Sequence, residues 1–444
     1  MSQNFMPSPL TQKLRSASPA VFTTFAGLAG FITYFSMYAF RKPFTAASFE
    51  GISGWHHELD FKIALVIAQL VGYASSKFIG IRVIGAMKAG YRARSILGLI
   101  GASWLALIVL AVVPPVFKIA AIFVNGLCLG MIWGLVFGYM EGRRTSEVLG
   151  AILCASFIVS SGAVKSVGAL VMQQLHVPVL WMPAATGLLF VPPLLLGVWG
   201  LSRLPPPSPE DEAARVRRAP MTKQEMWSFL RDYGFGVTLL VVTYVFATVL
   251  RDFRDNFAPE LWRALGYTNP AGIFSATEVP VAIVALLALG VIFKVQDNVR
   301  ALGVIHYVIL GGLLLLGGST LLFDAGLLHP VVWMIASGAG MYVVYTPFNA
   351  MLFDRLVAAS GRVATAGFLI YVADSAGYAG SCLLLLWRNF GMMQAEWLTV
   401  FRYTVYATAA VGLVLTVLSL IYFNARTRVL NPGHPAFAGT RSAG

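Results

Sequence analysis

The chain has 444 residues, of which 58% are hydrophobic and only 11% charged, with a mean hydropathy of +0.75. A soluble domain of this length needs far more surface charge, so that class is excluded. The net charge of +13 would suggest nucleic acid in a soluble protein; here no nucleic-acid-binding module is visible, and basic loops of a membrane protein account for most of it.

Apolar runs recur at the length that crosses about 30 Å of hydrocarbon. The N-terminal stretch MSQNFMPSPLTQKLRSASPA lacks the apolar core and small-residue cleavage site of a signal peptide, so the first span is expected to be retained. Twelve spans are predicted, near 21–45, 61–84, 95–114, 116–140, 147–172 and 178–201, then 235–259, 271–294, 301–323, 329–354, 362–388 and 397–423. Cys128, Cys154 and Cys382 fall inside spans without metal-ligand spacing and read as packing residues. No cofactor or metal set is visible.

Between the sixth and seventh spans lies LPPPSPEDEAARVRRAPMTKQEM, rich in proline and charge, which reads as a solvated linker. The expected organisation is therefore an N-terminal six-helix half (1–201), a cytoplasmic linker (202–226) and a C-terminal six-helix half (227–444). Two parallel repeats about an axis normal to the membrane have this arrangement.

Basic residues set the topology. The N-terminal tail (Lys13, Arg15), the second loop (Arg82, Lys88, Arg92, Arg94), the fourth (Arg143, Arg144) and the linker (Arg203, Arg215, Arg217, Arg218, Lys223) share one side. Lys294, Arg300, Arg355, Arg362, Arg426 and Arg428 lie there too, while the opposite loops hold chiefly Lys118, Arg263 and Arg388. With an even span count both termini are expected in the cytoplasm.

Against that pattern, Arg41 and Lys42 end the first span and Arg251 and Arg254 end the seventh, late in outward-running segments. An arginine at the bilayer centre costs about 2.5–3.5 kcal/mol on insertion scales, so it persists where a partner or a wet cavity compensates it. Two readings are open: interfacial anchors that snorkel, or a central anion site to which each half contributes.

Polar residues recur at helical spacing. Tyr34, Tyr38 and Arg41 stand at i, i+4, i+7 in span one; Gln69, Tyr73 and Lys77 are four apart in span two. Tyr244, Thr248, Arg251 and Asp255 mark one face of span seven, Tyr342, Tyr345 and Asn349 one of span ten, and Tyr371, Asp374, Ser375 and Tyr378 one of span eleven. Such stripes face an aqueous pathway or a neighbouring helix rather than lipid. Arginine's planar fork suits phosphate or carboxylate, and Lys77 and Lys165 add point charge. Asp252 and Asp255 adjoin the span-seven arginines and can neutralise them. Glu278 and Asp374 read either as ion-pair partners of Lys165, Arg41 or Arg251 or as protonatable coupling groups. His306 reads as a packed residue. Glycine-dense stretches at Gly126–Gly134, Gly311–Gly318 and Gly338–Gly340 allow close helix approach.

The chain resembles the major facilitator superfamily, and within it the organophosphate:phosphate antiporters (the glycerol-3-phosphate and hexose-phosphate transporters). Tyr38-Ala-Phe-Arg41-Lys42-Pro-Phe looks like that family's tyrosine-x-x-arginine-lysine signature, and Gly72-Tyr-Ala-Ser-Ser-Lys77-Phe is similar to its serine-lysine-phenylalanine element. Leu250-Arg251 followed by Pro259, and Ala364-Thr-Ala-Gly367-Phe with Gly377 and Gly380, also resemble its motifs. The resemblance implies an all-α polytopic major facilitator fold. It further implies that Arg41 and Arg251 bind a phosphate where the halves meet, that Lys77 assists, and that the chain exchanges an organic anion for inorganic phosphate. Departures are present: the family's span-five histidine has no counterpart in Phe157-Ile-Val-Ser-Ser161, and the loop GIRVIGAMKAGYRAR lacks the superfamily's usual aspartate-arginine pair.

The expected function is secondary transport of a small organic anion, a phosphate ester or phosphonate first among the candidates. Arg41 and Arg251 would clamp it, Lys77 and Lys165 would add positive potential, and Tyr38, Tyr244, Tyr345 and Tyr371 would shape the cavity. Asp374, Glu278 and Asp255 would couple or pair charge. Nothing matches G-x-x-x-x-G-K-[ST], so a gradient must drive it. The alternatives are proton-coupled carboxylate transport using Asp374 or Glu278, and a non-transporting membrane sensor; no catalytic pair suggests an enzyme. The expected setting is a bacterial inner membrane, with a small anionic solute and the lipid bilayer as partners, no nucleic acid, and a monomeric state.

Overall fold

The computed structural model describes residues 8–87, 89–143, 145–208, 211, 223–267, 271–360, 367–391 and 395–430. Lys88, Arg144, Arg215, Arg217, Arg218, Arg362, most of the expected linker and the opening Ala364–Ala366 of the span-eleven motif lie outside these residues. Among the described residues the regular structure is entirely helical.

In the first half, α1 is Pro19–Tyr38, α2 Phe61–Ala86, α3 Arg92–Val112, α4 Pro115–Phe137 and α5 Ser146–Gln174. The sixth span, α6, consists of Met182–Leu189 and Val191–Ser202, bent by 47°. Pro192 and Pro193 have no N–H for the carbonyls of Leu188 and Leu189, so the ladder fails there. In the second half, α7 is Lys223–Asn256, α8 Ala271–Phe293, α9 Asn298–Asp324, α10 Pro330–Ala350, α11 Gly367–Gly391 and α12 Trp397–Leu430. Eleven of these are long and apolar enough to cross a membrane, and the bent pair makes twelve if it is one span. The chain is an integral, multi-pass membrane protein of the all-α polytopic class expected.

Several borders differ from the sequence reading. The first span was expected to run to residue 45, but α1 stops at Tyr38, with Ala39 as its C-cap. Pro43 is the cause: it cannot donate to the carbonyl of Ala39, and its ring clashes with that carbonyl in a continuous helix. A short 3-10 turn, Pro43–Ala46, follows instead. Tyr34, Tyr38 and Arg41 are thus not one uninterrupted helical stripe. α7 starts at Lys223, inside the stretch read as linker. The tenth span breaks at Met351 and resumes as Leu352–Ala359.

The chain divides into two compact units, Met1–Val216 with Ala271–Ser275, and Arg217–Pro270 with Ala276–Gly444. Large apolar side chains such as Leu28, Phe117, Leu196, Leu287 and Leu383 are exposed, whereas Ser103, Asn125, Thr248 and Asp374 are buried. This distribution inverts that of a soluble protein and suits lipid outside, polar packing inside. Within the first unit α2 and α4 touch backbone to backbone. A Cβ on Gly126 would lie 2.3 Å from the carbonyl oxygen of Gln69, and one on Gly130 would lie 2.5 Å from that of Tyr73. The two helices can approach this closely only because those positions carry no side chain.

Gly126→Ala should therefore lower stability by about 1–3 kcal/mol through overpacking. Gly98→Ala, at a position open to surrounding space, should leave it unchanged. Thermal unfolding of the two variants in detergent checks this; equal melting temperatures would contradict the packing.

Candidate functional site

In the first half the site grows from the broken end of α1. Four backbone carbonyls belong to residues beyond the end of α1 that are buried from solvent, and each has a side-chain donor. Asn125 Nδ2 donates to Phe40 O at 2.9 Å, and Gln69 Nε2 to Arg41 O at 2.9 Å. Thr45 Oγ1 donates to Lys42 O at 2.8 Å, and Lys62 Nζ to Thr45 O at 3.1 Å. Gln69 and Asn125 also bond each other at 2.8 Å, and Asn125 reaches Ser103 Oγ at 2.7 Å. Irregular backbone is tolerated at membrane depth only when buried and satisfied in this way.

This scaffold fixes Arg41. Its guanidinium lies 3.9 Å from the ring centre of Tyr73 and 5.6 Å from that of Tyr38, and the residue is only 5% exposed. Lys77 Nζ is 5.6 Å from the same Tyr73 ring. Tyr38, Arg41 and Lys77 thus gather around Tyr73, whose face attracts cations. Arg41 and Lys42 are both buried, so they are not the snorkelling anchors of the alternative reading. Lys165 is buried in the middle of α5.

Charge in this half is strongly segregated. The acids of residues 1–201 are Glu50, Glu58, Asp60, Glu141 and Glu147. All are exposed or half-buried, and all lie in loops or, for Glu147, in the first turn of α5. Arg41, Lys42, Lys62 and Lys165 are buried. The helical bodies of the first half therefore carry cations and no carboxylate.

The second half repeats the motif with different charges. Tyr34 precedes Arg41 by seven residues and packs on Trp133 of α4 at 5.2 Å; Tyr244 precedes Arg251 by seven and stacks on Tyr345 of α10 at 5.3 Å. The residue after the arginine is Lys42 in one half and Asp252 in the other. Arg251 donates to Asp252 Oδ1 from Nη2 at 2.6 Å and from Nε at 3.1 Å, and from Nη1 to the Tyr345 hydroxyl. Its guanidinium carbon is 4.3 Å from the Tyr345 ring centre. Tyr244 donates to Asp374 Oδ1 at 2.5 Å and lies near Asn349. Arg251, Tyr345, Tyr244 and Asp374 thus form one connected network. The Ser381 hydroxyl donates to Asp252 Oδ2 at 2.8 Å.

Glu278 does pair charge, but with Arg254 at 2.6 Å, a partner the sequence reading did not consider for it. Arg254 also donates to Met334 O, and its guanidinium passes so close to Gly338 that a Cβ there would lie 2.7 Å from Nη2. Asp255 is half-buried in the last turn of α7, and Tyr371 half-buried on α11, one turn before Asp374. His306 is packed as expected, bonded to Leu302 O and Ser419 Oγ.

Asn125, Ser103, Lys62 and Ser381 were missed by the sequence reading. An asparagine or lysine within an apolar helix was itself the available signal, because such residues are costly unless they bond something specific.

Solved structures share this fold, among them the following two. The crystal structure of a D-xylose-proton symporter has a TM-score of 0.59 at 15% identity, over 92% of this chain and 97% of that one. A bacterial homologue of the human drug peptide transporters PepT1 and PepT2 has a TM-score of 0.58 at 12% identity, over 93% and 100%. The fold is that of the major facilitator superfamily. Residues 43–426 match the family described as a family of unknown function (DUF5690), and the chain belongs to that family. A search among curated proteins finds no match.

Asn125→Leu keeps the branched shape of the side chain but removes the donor to Phe40 and Ser103. It should cost about 1–3 kcal/mol, the penalty for stranding buried acceptors. Thermal unfolding measures it, and a neutral result would show that the carbonyls are served otherwise.

Proposed function

We propose that the chain is a secondary transporter of a small organic anion, with both termini cytoplasmic and Arg41 and Arg251 as its anion-recognising groups. The observation that carries this reading is the gathering of Arg41 and Lys77 at the ring of Tyr73, at 3.9 Å and 5.6 Å from its centre. Two cations brought to one aromatic side chain suit recognition of an anion, and alternating access around a mid-membrane site is how this fold moves solutes elsewhere. The fold relatives named above are a proton symporter and a homologue of peptide transporters, which supports transport as the class of activity.

Phosphate esters and phosphonates are the proposed substrate class. A guanidinium offers paired, charge-assisted hydrogen bonds to such groups, and the span-one signature containing Arg41 resembles that of organophosphate antiporters. Lys77, beside the same tyrosine as Arg41, adds a point charge.

A second reading rests on Asp374, a buried carboxylate bonded to Tyr244 at 2.5 Å. It would carry a proton in symport with a carboxylate. In right-side-out vesicles, uptake stimulated by internal phosphate and indifferent to a protonophore supports exchange; the reverse pattern supports proton coupling. Saturable binding without flux in proteoliposomes would instead indicate a sensor.

The direct test is a thermal-shift panel of phosphate esters, phosphonates and carboxylates on the purified protein. A phosphate ester or phosphonate should give the largest rise in melting temperature. Arg41→Lys should weaken that ligand by about 10-fold or more, because lysine keeps the charge and loses the fork. Stabilisation by neutral sugars or peptides alone, unaffected by Arg41→Lys, would refute the proposal.

A further inference from the structure

Each nitrogen of the Arg251 guanidinium already has a protein partner. Its Nε and Nη2 both point to Asp252 Oδ1, and Nη1 to the Tyr345 hydroxyl. The Nε–Nη2 edge is one that a phosphate or carboxylate takes bidentately. Adjacent residues on a helix do not face each other, so this pair forms only because the long arginine stem turns toward its neighbour. Asp252 is in turn held from α11 by Ser381 at 2.8 Å. Asp252 is buried and its carboxylate only 5% exposed, so the pair is shielded rather than dissolved in solvent.

From this geometry we infer that Asp252 is an internal competitor for the substrate anion: a tethered carboxylate, positioned by Ser381, that occupies the Nε–Nη2 edge of Arg251 and must be displaced before that edge can grip a ligand. The inference rests on the reading of Arg251 as an anion-recognising group and adds a specificity residue to it. Asp252 sets a threshold. Only an anion that outbids a carboxylate at the same fork engages the second half, which favours phosphate-type groups with more charge and more acceptor oxygens.

When the binding-competent form is a minor population, apparent affinity falls by that fraction, so freeing Arg251 should tighten anion binding by about 10-fold if the pair is closed nine-tenths of the time. The experiment is a titration of inorganic phosphate at constant ionic strength, reading the concentration that gives half the maximal rise in melting temperature of the purified full chain. Asp252→Asn should lower that concentration by about 10-fold, and Ser381→Ala by a smaller factor. Glu278→Gln, which removes the carboxylate beside Arg254 instead, should not lower it. Phosphate stabilisation of the unaltered protein with no gain in Asp252→Asn, or an equal gain in Glu278→Gln, would overturn the inference and leave the anion reading intact. No stabilisation by phosphate in any of the proteins would overturn both. If Asp252→Asn does not fold, Ser381→Ala decides by the same criteria.

Discussion

The first half depends on one constraint: a helix that ends among buried side chains must hand its loose carbonyls to other donors. Pro43 forces that ending, and Asn125, Gln69, Thr45 and Lys62 serve the carbonyls of Phe40, Arg41, Lys42 and Thr45. Each such carbonyl left buried and unsatisfied would cost several kcal/mol, so the donors are a condition for the segment to be buried there. They also determine where Arg41 goes. The same bond from Gln69 that satisfies the arginine's carbonyl sits one turn from Tyr73, the ring that receives its guanidinium. Glycines at 126 and 130 let α2 and α4 close up, and the polar cluster lies along that contact.

The two halves use one plan with opposite electrostatics. In each, a tyrosine seven residues before an arginine packs against an aromatic side chain of the fourth helix. In the first half the arginine is followed by lysine, and the helices carry no carboxylate beyond Glu147 in the first turn of α5. In the second, Arg251 pairs with Asp252, Arg254 pairs with Glu278, and Asp374 is held by a tyrosine. A repeat that keeps its aromatic packing while changing its charges has separated two jobs: holding the helices together and setting what the half will bind.

Much of the architecture was legible in the sequence because hydrophobic length is a direct physical requirement of the bilayer. The span-seven stripe, Tyr244, Thr248 and Arg251, was legible because α7 continues unbroken to Asn256, so helical spacing there is real geometry. The same arithmetic misled in span one. Pro43 ends α1 at Tyr38, so helical spacing from Tyr34 does not carry on to Arg41. The partner of Glu278 was not recoverable from spacing, because the pair with Arg254 forms between two helices and depends on the narrow passage beside Gly338. Asn125 and Ser381 were visible as polar residues in apolar helices, yet their roles are set by which backbone or carboxylate they meet.

The central claim is that a buried cation cluster at the broken end of α1 exists to receive an anion. Crystals of the protein soaked in tungstate, an electron-dense tetrahedral oxyanion, test it most directly through the anomalous difference map. The account predicts a peak within hydrogen-bonding reach of the Arg41 guanidinium, lost in Arg41→Gln. Peaks confined to exposed lysines and arginines of the loops, with none at Arg41, would contradict it.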